Sequence, residues 1–149
     1  MTKDVFKPML ACDAFFEKLT FPCIVQPKID GVHSLNRYGA CVGRSLRSHD
    51  NLYTTQKFSK LEFHGFAGEK YNADLGKTHP DLCRVTSGDL RRIEGEPNIS
   101  WVIFDFITDS TKNLGYVERM NIASEKIREL NLPYLEIIAI FESSKSPDS

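Results

Sequence analysis

The segment that most constrains the fold lies at residues 101–107, where the sequence reads WVIFDFI. Aromatic and β-branched side chains at this density suit the pleated, buried surface of a central β-strand. Shortly afterwards, apolar side chains recur at helical spacing across residues 117–130, which predicts an amphipathic helix. The two patterns together indicate a fold that contains both a sheet and helices.

Shorter elements are predicted on both sides of this strand and helix. Further strands are expected at residues 23–28, 32–38, 40–44, 61–66 and 134–141. The first three of these are separated by turn residues, which indicates a meander of antiparallel strands. Short helices are expected at 12–19 and 51–60, and a loop-rich stretch at 79–98. Many strands with a few helices predict the α+β class.

The composition is that of one soluble globular domain. The chain has 149 residues, of which 41% are hydrophobic and 26% are charged, so intrinsic disorder, collagen and coiled coil are excluded. The longest apolar run, residues 134–141, is interrupted by Glu136 and is too short to span a membrane. No secretory signal is recognised near Met1, and the four scattered cysteines are therefore expected to be reduced.

A lysine beside a tight turn is the sharpest local feature, in the sequence KIDG at residues 28–31. The turn presents the Lys28 amine at the surface of the sheet, and Asp30 is expected to hold the turn by bonding to nearby backbone. An amine attacks only in its neutral form, so a nucleophilic Lys28 needs either desolvation or nearby cations. Arg37, Arg44 or a nucleotide-bound metal ion are candidates. The alternative is a surface hairpin with a solvated lysine.

The surroundings of Lys28 are basic, although the whole chain has a formal charge of −1. Residues 22–60 contain two acidic side chains and six basic ones, which are Lys28, Arg37, Arg44, Arg47, Lys57 and Lys60. Six minus two leaves a local charge of +4, which suits binding of polyphosphate or of a nucleic-acid backbone. We expect Arg37, Arg44 and Arg47 to contact nucleic acid, and a solvated basic face is the alternative.

Four short motifs resemble those of the covalent nucleotidyltransferases, which include ATP-dependent DNA ligases, RNA ligases and mRNA capping enzymes. In order along the chain they are KIDGV at 28–32, Gly43-Arg44-Ser45, Phe66-Ala67-Gly68-Glu69, and VIFDF at 102–106. Their order and spacing agree with that family. Residues 84–91 also resemble a loop in the small DNA ligases of tailed bacteriophages, which favours an ATP-dependent DNA ligase. The resemblance covers roughly residues 22–120 and implies an antiparallel-sheet, ATP-grasp-like nucleotidyltransferase fold.

The resemblance implies a reaction as well as a fold. Lys28 would attack the α-phosphorus of ATP, with Mg²⁺ as the metal, and form lysyl-AMP. The AMP would pass to the 5′-phosphate of nicked double-stranded DNA, and the 3′-hydroxyl would displace it, as DNA replication and repair require. A monomer is expected, in the cytoplasm, or in the host cytoplasm if the source is viral. An RNA ligase, a capping guanylyltransferase and a non-catalytic binding module of the same fold are the alternatives.

The resemblance also assigns roles to further residues. Asp30 and Gly31 belong to the nucleotide-binding motif of Lys28. Glu69 would contact the ribose or hold the metal, since carboxylate oxygens suit Mg²⁺. Arg44 would hold phosphate through its planar fork of donors. Phe104 would stack on adenine, and Phe106, predicted to face the same side, is its competitor for that role.

This sequence departs from the family pattern in two places and ends before its last motifs. His33 stands where the family usually has an arginine, for which Arg37 is a possible substitute, and Ala67 stands where it has an acid. An E-G-hydrophobic motif, a K-x-K motif and an oligonucleotide-binding barrel are not found. Residues 1–142 are therefore interpreted as the N-terminal part of an adenylation domain, and residues 143–149 as a polar tail or linker.

Overall fold

The computed structural model describes residues 19–44 and 48–143. The elements in chain order are β1 (Cys23–Val25), β2 (Val32–Arg37), β3 (Ala40–Val42), α1 (Leu52–Phe58), a 3₁₀ turn (Leu61–Phe63), β4 (Phe66–Asn72), α2 (Leu82–Arg91), β5 (Ile99–Phe106), α3 (Tyr116–Leu130), β6 (Leu135–Ile137) and β7 (Phe141–Ser143). Five strands form one sheet in the order β3-β2-β4-β5-β6, and β1 and β7 form a separate two-stranded ribbon. All pairs are antiparallel except β5 and β6, which are parallel. The predicted α+β class with a mainly antiparallel sheet is confirmed.

The elements with the clearest local patterns are where the sequence predicts them. β5 is an interior strand and α3 follows it, with Met120 and Ala123 buried on the helix face that meets the core. α1 lies within the predicted helix at 51–60, because Asn51 caps it by accepting a hydrogen bond from the Thr54 amide at 2.8 Å. The side-chain Nδ2 of Asn51 also donates to the carbonyls of Arg92, Glu94 and Gly95, which ties α1 to the segment after α2.

The predicted three-stranded meander is wrong. β2 pairs with β3 as expected, but β1 pairs with β7 from the other end of the described chain. Residues 26–31 do not make a tight hairpin; they leave the ribbon and enter the main sheet at Val32. Ser143, assigned to a polar tail, is the last residue of β7, and residues 144–149 lie outside the described residues. The helix predicted at 12–19 also falls almost wholly outside them.

Three other predictions are wrong in type or extent. Residues 61–66 are a 3₁₀ turn followed by the start of β4, because Gly65 adopts a φ of +98° that reverses the chain. The loop-rich stretch 79–98 contains α2, whose buried side chains recur at helical spacing despite Gly88 in its middle. The single strand predicted at 134–141 is split into β6 and β7, which belong to different sheets.

The core is aromatic and lies against one face of the main sheet. Trp101 of β5 is fully buried, and its ring meets the edges of Phe58 at 5.6 Å and Phe66 at 6.2 Å between centroids. Such edge-to-face pairs add to the stability that comes from burying apolar surface. A smaller apolar cluster, which includes Val102, Tyr71 and Leu82, is separate from it. This smaller cluster lies against the opposite face of the sheet from the aromatic core. The cavity described below is on the same face as the smaller cluster.

Candidate functional site

Two glycines allow the segment that contains Lys28, residues 26–31, and three strands to approach one another closely. A Cβ on Gly31 would lie 2.1 Å from the carbonyl oxygen of Lys70, and a Cβ on Gly68 would lie 2.0 Å from that of Val102. Real side chains do not tolerate such distances, so any other residue would push the backbones apart. The glycines of the first and third motifs therefore set how closely residues 26–31, β4 and β5 can pack.

The register of the sheet places three side chains in one row. His33 of β2 is paired with Glu69 of β4, and Glu69 is paired with Val102 of β5. Residues directly opposite in neighbouring strands project to the same face. The imidazole Nδ1 of His33 lies 3.6 Å from a carboxylate oxygen of Glu69, which is an electrostatic contact longer than a hydrogen bond.

A β-bulge determines where Phe104 points. Gly68 pairs with Ile103 while Ala67 pairs with Asp105, so Phe104 is an extra residue without a partner in β4. The bulge is held by Asp105, which accepts hydrogen bonds from the Phe106 amide at 2.8 Å and from Arg119 Nε at 2.9 Å. An inserted residue inverts the alternation of side chains beyond it.

Phe104 and Phe106 consequently do not face the same side, and that prediction is wrong. Phe104 is partly exposed, and its ring lies 5.3 Å from the imidazole of His33. Phe106 is 5% exposed and packs in the aromatic core, 5.5 Å from the ring of Phe66. Only Phe104 is available to a ligand on the side of Glu69.

One open cavity of about 610 Å³ lies on this side of the sheet. Its volume is in the range of small-molecule sites. Six residues that the sequence singled out line it together: Lys28, Asp30, Gly31, Arg44, Glu69 and Phe104. Gln26, His33 and Cys83 also line it and were not predicted as ligand-binding residues. A basic amine, a guanidinium, carboxylates and an aromatic ring therefore surround one volume.

The basic segment of the sequence does not form one patch in space. Lys28 and Arg44 line the cavity, but Arg37 is at the other end of β2, about 16 Å along the strand from Val32. There its guanidinium donates to the Ile107 carbonyl at 3.4 Å and lies over the Tyr38 ring. Lys57 donates to the Ile99 carbonyl at 2.7 Å. Arg37 is thus not positioned to substitute for the arginine that the family usually has at the position of His33. Its contact with nucleic acid stays a prediction. The same holds for Arg47, which lies outside the described residues.

A tyrosine that the sequence reasoning missed supports the cavity wall. The side-chain Nε2 of Gln26 donates to the hydroxyl of Tyr116, and this hydroxyl donates to the backbone carbonyl of Phe104. Burial raises the pKa of Tyr116, so its hydroxyl keeps its proton and remains a donor. Tyr116 in this way connects the side chain of Gln26, which follows β1, to the bulge that contains Phe104.

The segment that resembles a phage ligase loop is helical. Residues 84–91 lie within α2, and Cys83 beside them lines the cavity. The helix is tied to β4 because Thr86 accepts a hydrogen bond from the Asn72 amide and Asp89 accepts one from the Asn72 side chain. The three described cysteines, Cys23, Cys41 and Cys83, are free thiols.

The opposite face of β4 buries a lysine. Lys70 has no exposed surface, and its amine lies 3.1 Å from the sulfur of Cys41 and 4.7 Å from the centroid of the Phe58 ring. Burial lowers the pKa of Lys70. The pKa of His49 is lowered to about 4, first by burial and then by the charge of Lys70.

The cavity offers carboxylates to a metal ion but no complete protein cage. Across residues 19–44 and 48–143, no group of three His, Cys, Asp or Glu side chains is placed to hold a metal. Glu69 and Asp30 nevertheless line the same cavity as Lys28. This donor set fits Mg²⁺, which proteins commonly bind through one or two carboxylates together with substrate phosphates. In the same part of the chain, no helix has the length and apolarity to cross a bilayer.

Comparison with solved structures finds the same fold in DNA ligases. Two crystal structures of Chlorella virus DNA ligase-adenylate match with TM-scores of 0.72 and 0.73, at 21% and 23% sequence identity, over 96% and 93% of this chain. A structure from a study of DNA binding with a minimal scaffold by Lig E DNA ligases matches with a TM-score of 0.69, at 14% identity, over 95% of the chain. The matches cover 52%, 51% and 53% of those chains, so this chain spans about half their length.

At these identities the likeness establishes the fold. The chain has the nucleotidyltransferase fold of the DNA ligases, as the four motifs predicted. No protein-family model matches the sequence, and no curated protein matches it either.

Proposed function

We propose that the cavity binds ATP and that Lys28 accepts AMP covalently, as the first step of polynucleotide ligation. One observation carries the proposal: Lys28, Arg44, Glu69 and Phe104, which four separate motifs contribute, line the same cavity of about 610 Å³. The shared fold with DNA ligase-adenylate structures supports it, because those proteins are ligases described with bound adenylate.

The proposed chemistry is an in-line displacement at the α-phosphorus. The Lys28 nitrogen forms a bond to phosphorus, the bond to the pyrophosphate oxygen breaks, and the lysine releases its protons to solvent. Pyrophosphate leaves with the electron pair of the broken bond, and a phosphoramidate remains on Lys28. Because charge builds on phosphate oxygens in such reactions, fixed cations lower the barrier most effectively.

The neighbouring residues would bind and orient the nucleotide. Arg44 can form paired hydrogen bonds to phosphate oxygens, which its planar guanidinium suits. Phe104 offers an aromatic surface for the base. Glu69 is the residue we assign to the ribose or to a Mg²⁺ ion shared with the phosphates. Such a metal ion, when bound, supplies further neutralisation of phosphate charge.

The later steps belong to the proposal for the whole protein. AMP would pass to the 5′-phosphate at a nick in duplex DNA, and the 3′-hydroxyl would then attack and release AMP. DNA is favoured over RNA as substrate because three solved structures that share the fold are of DNA ligases. Arg37, Arg44 and Arg47 are the candidate contacts with the DNA backbone. We propose that the protein acts as a monomer in the cytoplasm.

The test is covalent labelling with ATP that carries a radioactive α-phosphate, followed by denaturing electrophoresis. Because the K-x-K motif that would contact the α-phosphate is not found in this sequence, we expect the wild-type chain to retain only a little label, and we expect Lys28→Ala to retain none. Lys112→Ala is the matched control, because Lys112 is exposed and its ion-pair partner among residues 19–44 and 48–143 is Asp109 on the same short segment. It should retain the wild-type label.

Each other outcome has a defined meaning. Label that persists in Lys28→Ala would remove Lys28 as the nucleophile. Measurable ATP binding with no label would indicate a non-catalytic nucleotide-binding module. Label from GTP in preference to ATP would indicate a capping guanylyltransferase. Sealing of nicked RNA in preference to nicked DNA by the whole protein would indicate an RNA ligase.

A further inference from the structure

A lysine and a cysteine meet inside the protein, on the face of the sheet opposite the cavity. Lys70 of β4 has no exposed surface, Cys41 of β3 is 1% exposed, and the lysine Nζ lies 3.1 Å from the cysteine Sγ. β2 lies between their strands, so the lysine side chain crosses β2 to reach the sulfur. The contact joins residues 29 positions apart in sequence and connects the edge strand β3 to the interior of the sheet.

The surroundings of the Lys70 amine favour its neutral form. Among the described residues, the amine contacts the sulfur of Cys41 and the rings of Phe58 and Trp101, at 4.7 and 5.5 Å from the ring centroids, and no carboxylate. An ammonium group in such surroundings loses its hydration without gaining a counter-ion. Burial therefore lowers the pKa of Lys70, although the contact with Cys41 acts in the opposite direction. A neutral amine has a free lone pair and is a nucleophile.

Cys41 is buried in a strand through which a small oxidant can enter. β3 has three residues and lies at the edge of the five-stranded sheet, where its neighbour is β2. Short edge strands open locally more easily than interior strands, because fewer hydrogen bonds and contacts hold them. Such openings admit hydrogen peroxide, which is little larger than water. The hydroxyl oxygen of Ser34 lies 3.3 Å from the Cys41 sulfur, so a hydrogen-bond partner is in place for an oxygen atom added to that sulfur.

We propose that Cys41 and Lys70 are a redox-sensitive modification site, at which a peroxide closes a sulfenamide cross-link between the cysteine sulfur and the lysine nitrogen. The two atoms already touch at 3.1 Å and have only to move closer for the bond to form. The pair faces away from the cavity. The inference therefore rests neither on nucleotide binding nor on transfer of AMP to Lys28.

The reaction consumes one molecule of hydrogen peroxide. The Cys41 sulfur first attacks a peroxide oxygen, the O–O bond breaks, and a sulfenic acid and water form, so that sulfur is oxidised and the peroxide is reduced. The lone pair of the Lys70 nitrogen then forms the bond to sulfur, and the S–O bond breaks. The leaving hydroxide takes a proton from the nitrogen and departs as a second water. A thiol reverses the reaction by attacking the sulfur, which frees the lysine amine, and a second thiol restores the cysteine.

The test is treatment of the whole chain with hydrogen peroxide, followed by tryptic digestion without reduction and mass spectrometry. We expect one ion in which the peptides of Cys41 and Lys70 are joined, with two hydrogen atoms fewer than the separate peptides. Dithiothreitol should separate them again. The exposed thiol of Cys83 shows in the same sample that the oxidant was active. The cross-link should also raise the thermal unfolding midpoint by about 5 °C, because it restrains the unfolded chain.

Three variants assign the cross-link to these two side chains. Lys70→Met removes the amine and keeps the volume, so oxidation should stop at the sulfenic acid of Cys41, which dimedone traps. Cys41→Ala should leave Lys70 unmodified. Lys57→Met is the matched control, because the Lys57 amine also lies over the Phe58 ring, at 5.3 Å, and this variant should still form the cross-link. Unfolding midpoints show which variants are folded, and the wild-type result stands without them.

The inference is overturned if Cys41 of the wild type stays reduced while Cys83 is oxidised, or if Cys41 is oxidised without being joined to Lys70. Joined peptides that retain an oxygen atom would exclude the direct bond between sulfur and nitrogen. A cross-link of Cys41 to another lysine in folded Lys70→Met would also contradict the assignment. None of these outcomes depends on the labelling of Lys28, so failure of the proposed function is seen separately.

Discussion

Glu69 and Lys70 are consecutive residues of β4 with opposite charges, and their side chains lie on opposite faces of the same sheet. Glu69 faces the cavity, where it lies beside His33, and its side chain is 19% exposed. Lys70 faces the aromatic core, has no exposed surface, and is held against Cys41 and the Phe58 ring. The comparison teaches that charge in a strand does not by itself indicate a functional site. The side of the sheet decides whether the group can meet a ligand.

The two faces stay distinct only while β4 keeps its register, so Gly68→Ala should have the largest effect. A Cβ there would lie 2.0 Å from the carbonyl oxygen of Val102. We expect a loss of about 3 kcal/mol or more in the free energy of unfolding, because the backbones must separate. Gly88→Ala is the control. It is inside α2 with no atom nearer than 3.8 Å, and it should stabilise by up to about 1 kcal/mol. Chemical denaturation measures the free energy of unfolding of both variants. A Gly68→Ala protein as stable as Gly88→Ala would contradict the close approach of Gly68 to the Val102 carbonyl.

On the core face of the sheet, the burial of His49 near Lys70 predicts that stability depends on pH. The pKa of His49 is about 4 in the folded chain, below its ordinary value of 6.5, because of burial and the charge of Lys70. Between pH 6.5 and 4 the unfolded chain therefore binds a proton that the folded chain does not, and stability falls as the pH falls. The drop is at most about 3 kcal/mol over this window.

His49→Gln, which cannot titrate, should lose less stability than the wild type between pH 7 and pH 4. Urea unfolding at a series of pH values gives the comparison. Parallel curves for the two proteins would show that His49 does not carry this dependence.

Exchanging the two charged residues of β4 for uncharged ones should separate activity from stability. Glu69→Ala should slow the labelling of Lys28 about 100-fold, because a group that orients the nucleotide is removed, while the unfolding free energy changes by less than about 1 kcal/mol. Lys70→Met keeps the volume and removes a buried charge. It should leave labelling within about 2-fold and stability unchanged or higher. A folded Lys70→Met protein without labelling would contradict the division between the faces.

The smallest effects are expected at the two phenylalanines that the bulge separates. Phe104→Leu should weaken ATP binding about 5-fold and barely change stability, since it removes an aromatic surface from the cavity. Phe106→Leu should lower the unfolding free energy by about 1–2 kcal/mol and leave ATP binding unchanged, since it disturbs the core. Calorimetric titration and denaturation of both variants test this. The reverse assignment of effects would mean that Phe106 faces the ligand.

Several parts of the molecule could be predicted because their signals are local. The apolar period of α3, the aromatic density of β5 and the cap at Asn51 depend on residues a few positions apart. The motif around Lys28 and the glycine before Glu69 are likewise short. Six residues chosen from these motifs do line one cavity. α2 was missed because Gly88 within it and Pro80 and Gly95 on either side indicate turns, although its buried residues recur at helical spacing.

Other parts could not be predicted because they depend on distant partners. Nothing near Cys23 indicates that β1 pairs with β7 rather than with β2. Strict alternation put Phe104 and Phe106 on one side, and only the pairing of β4 with β5 reveals the extra residue between them. The contact between His33 and Glu69 likewise depends on the register of β2 against β4.

The sequence by itself determined the α+β class, the main strand and helix, and which residue types carry the proposed chemistry, since propensity and short motifs are properties of neighbouring residues. Only the tertiary structure decided on which face of the sheet each side chain lies. Strand register, a bulge and the close approach that Gly31 and Gly68 allow are long-range backbone contacts. They set Glu69 beside His33 in the cavity and the next residue, Lys70, in the core.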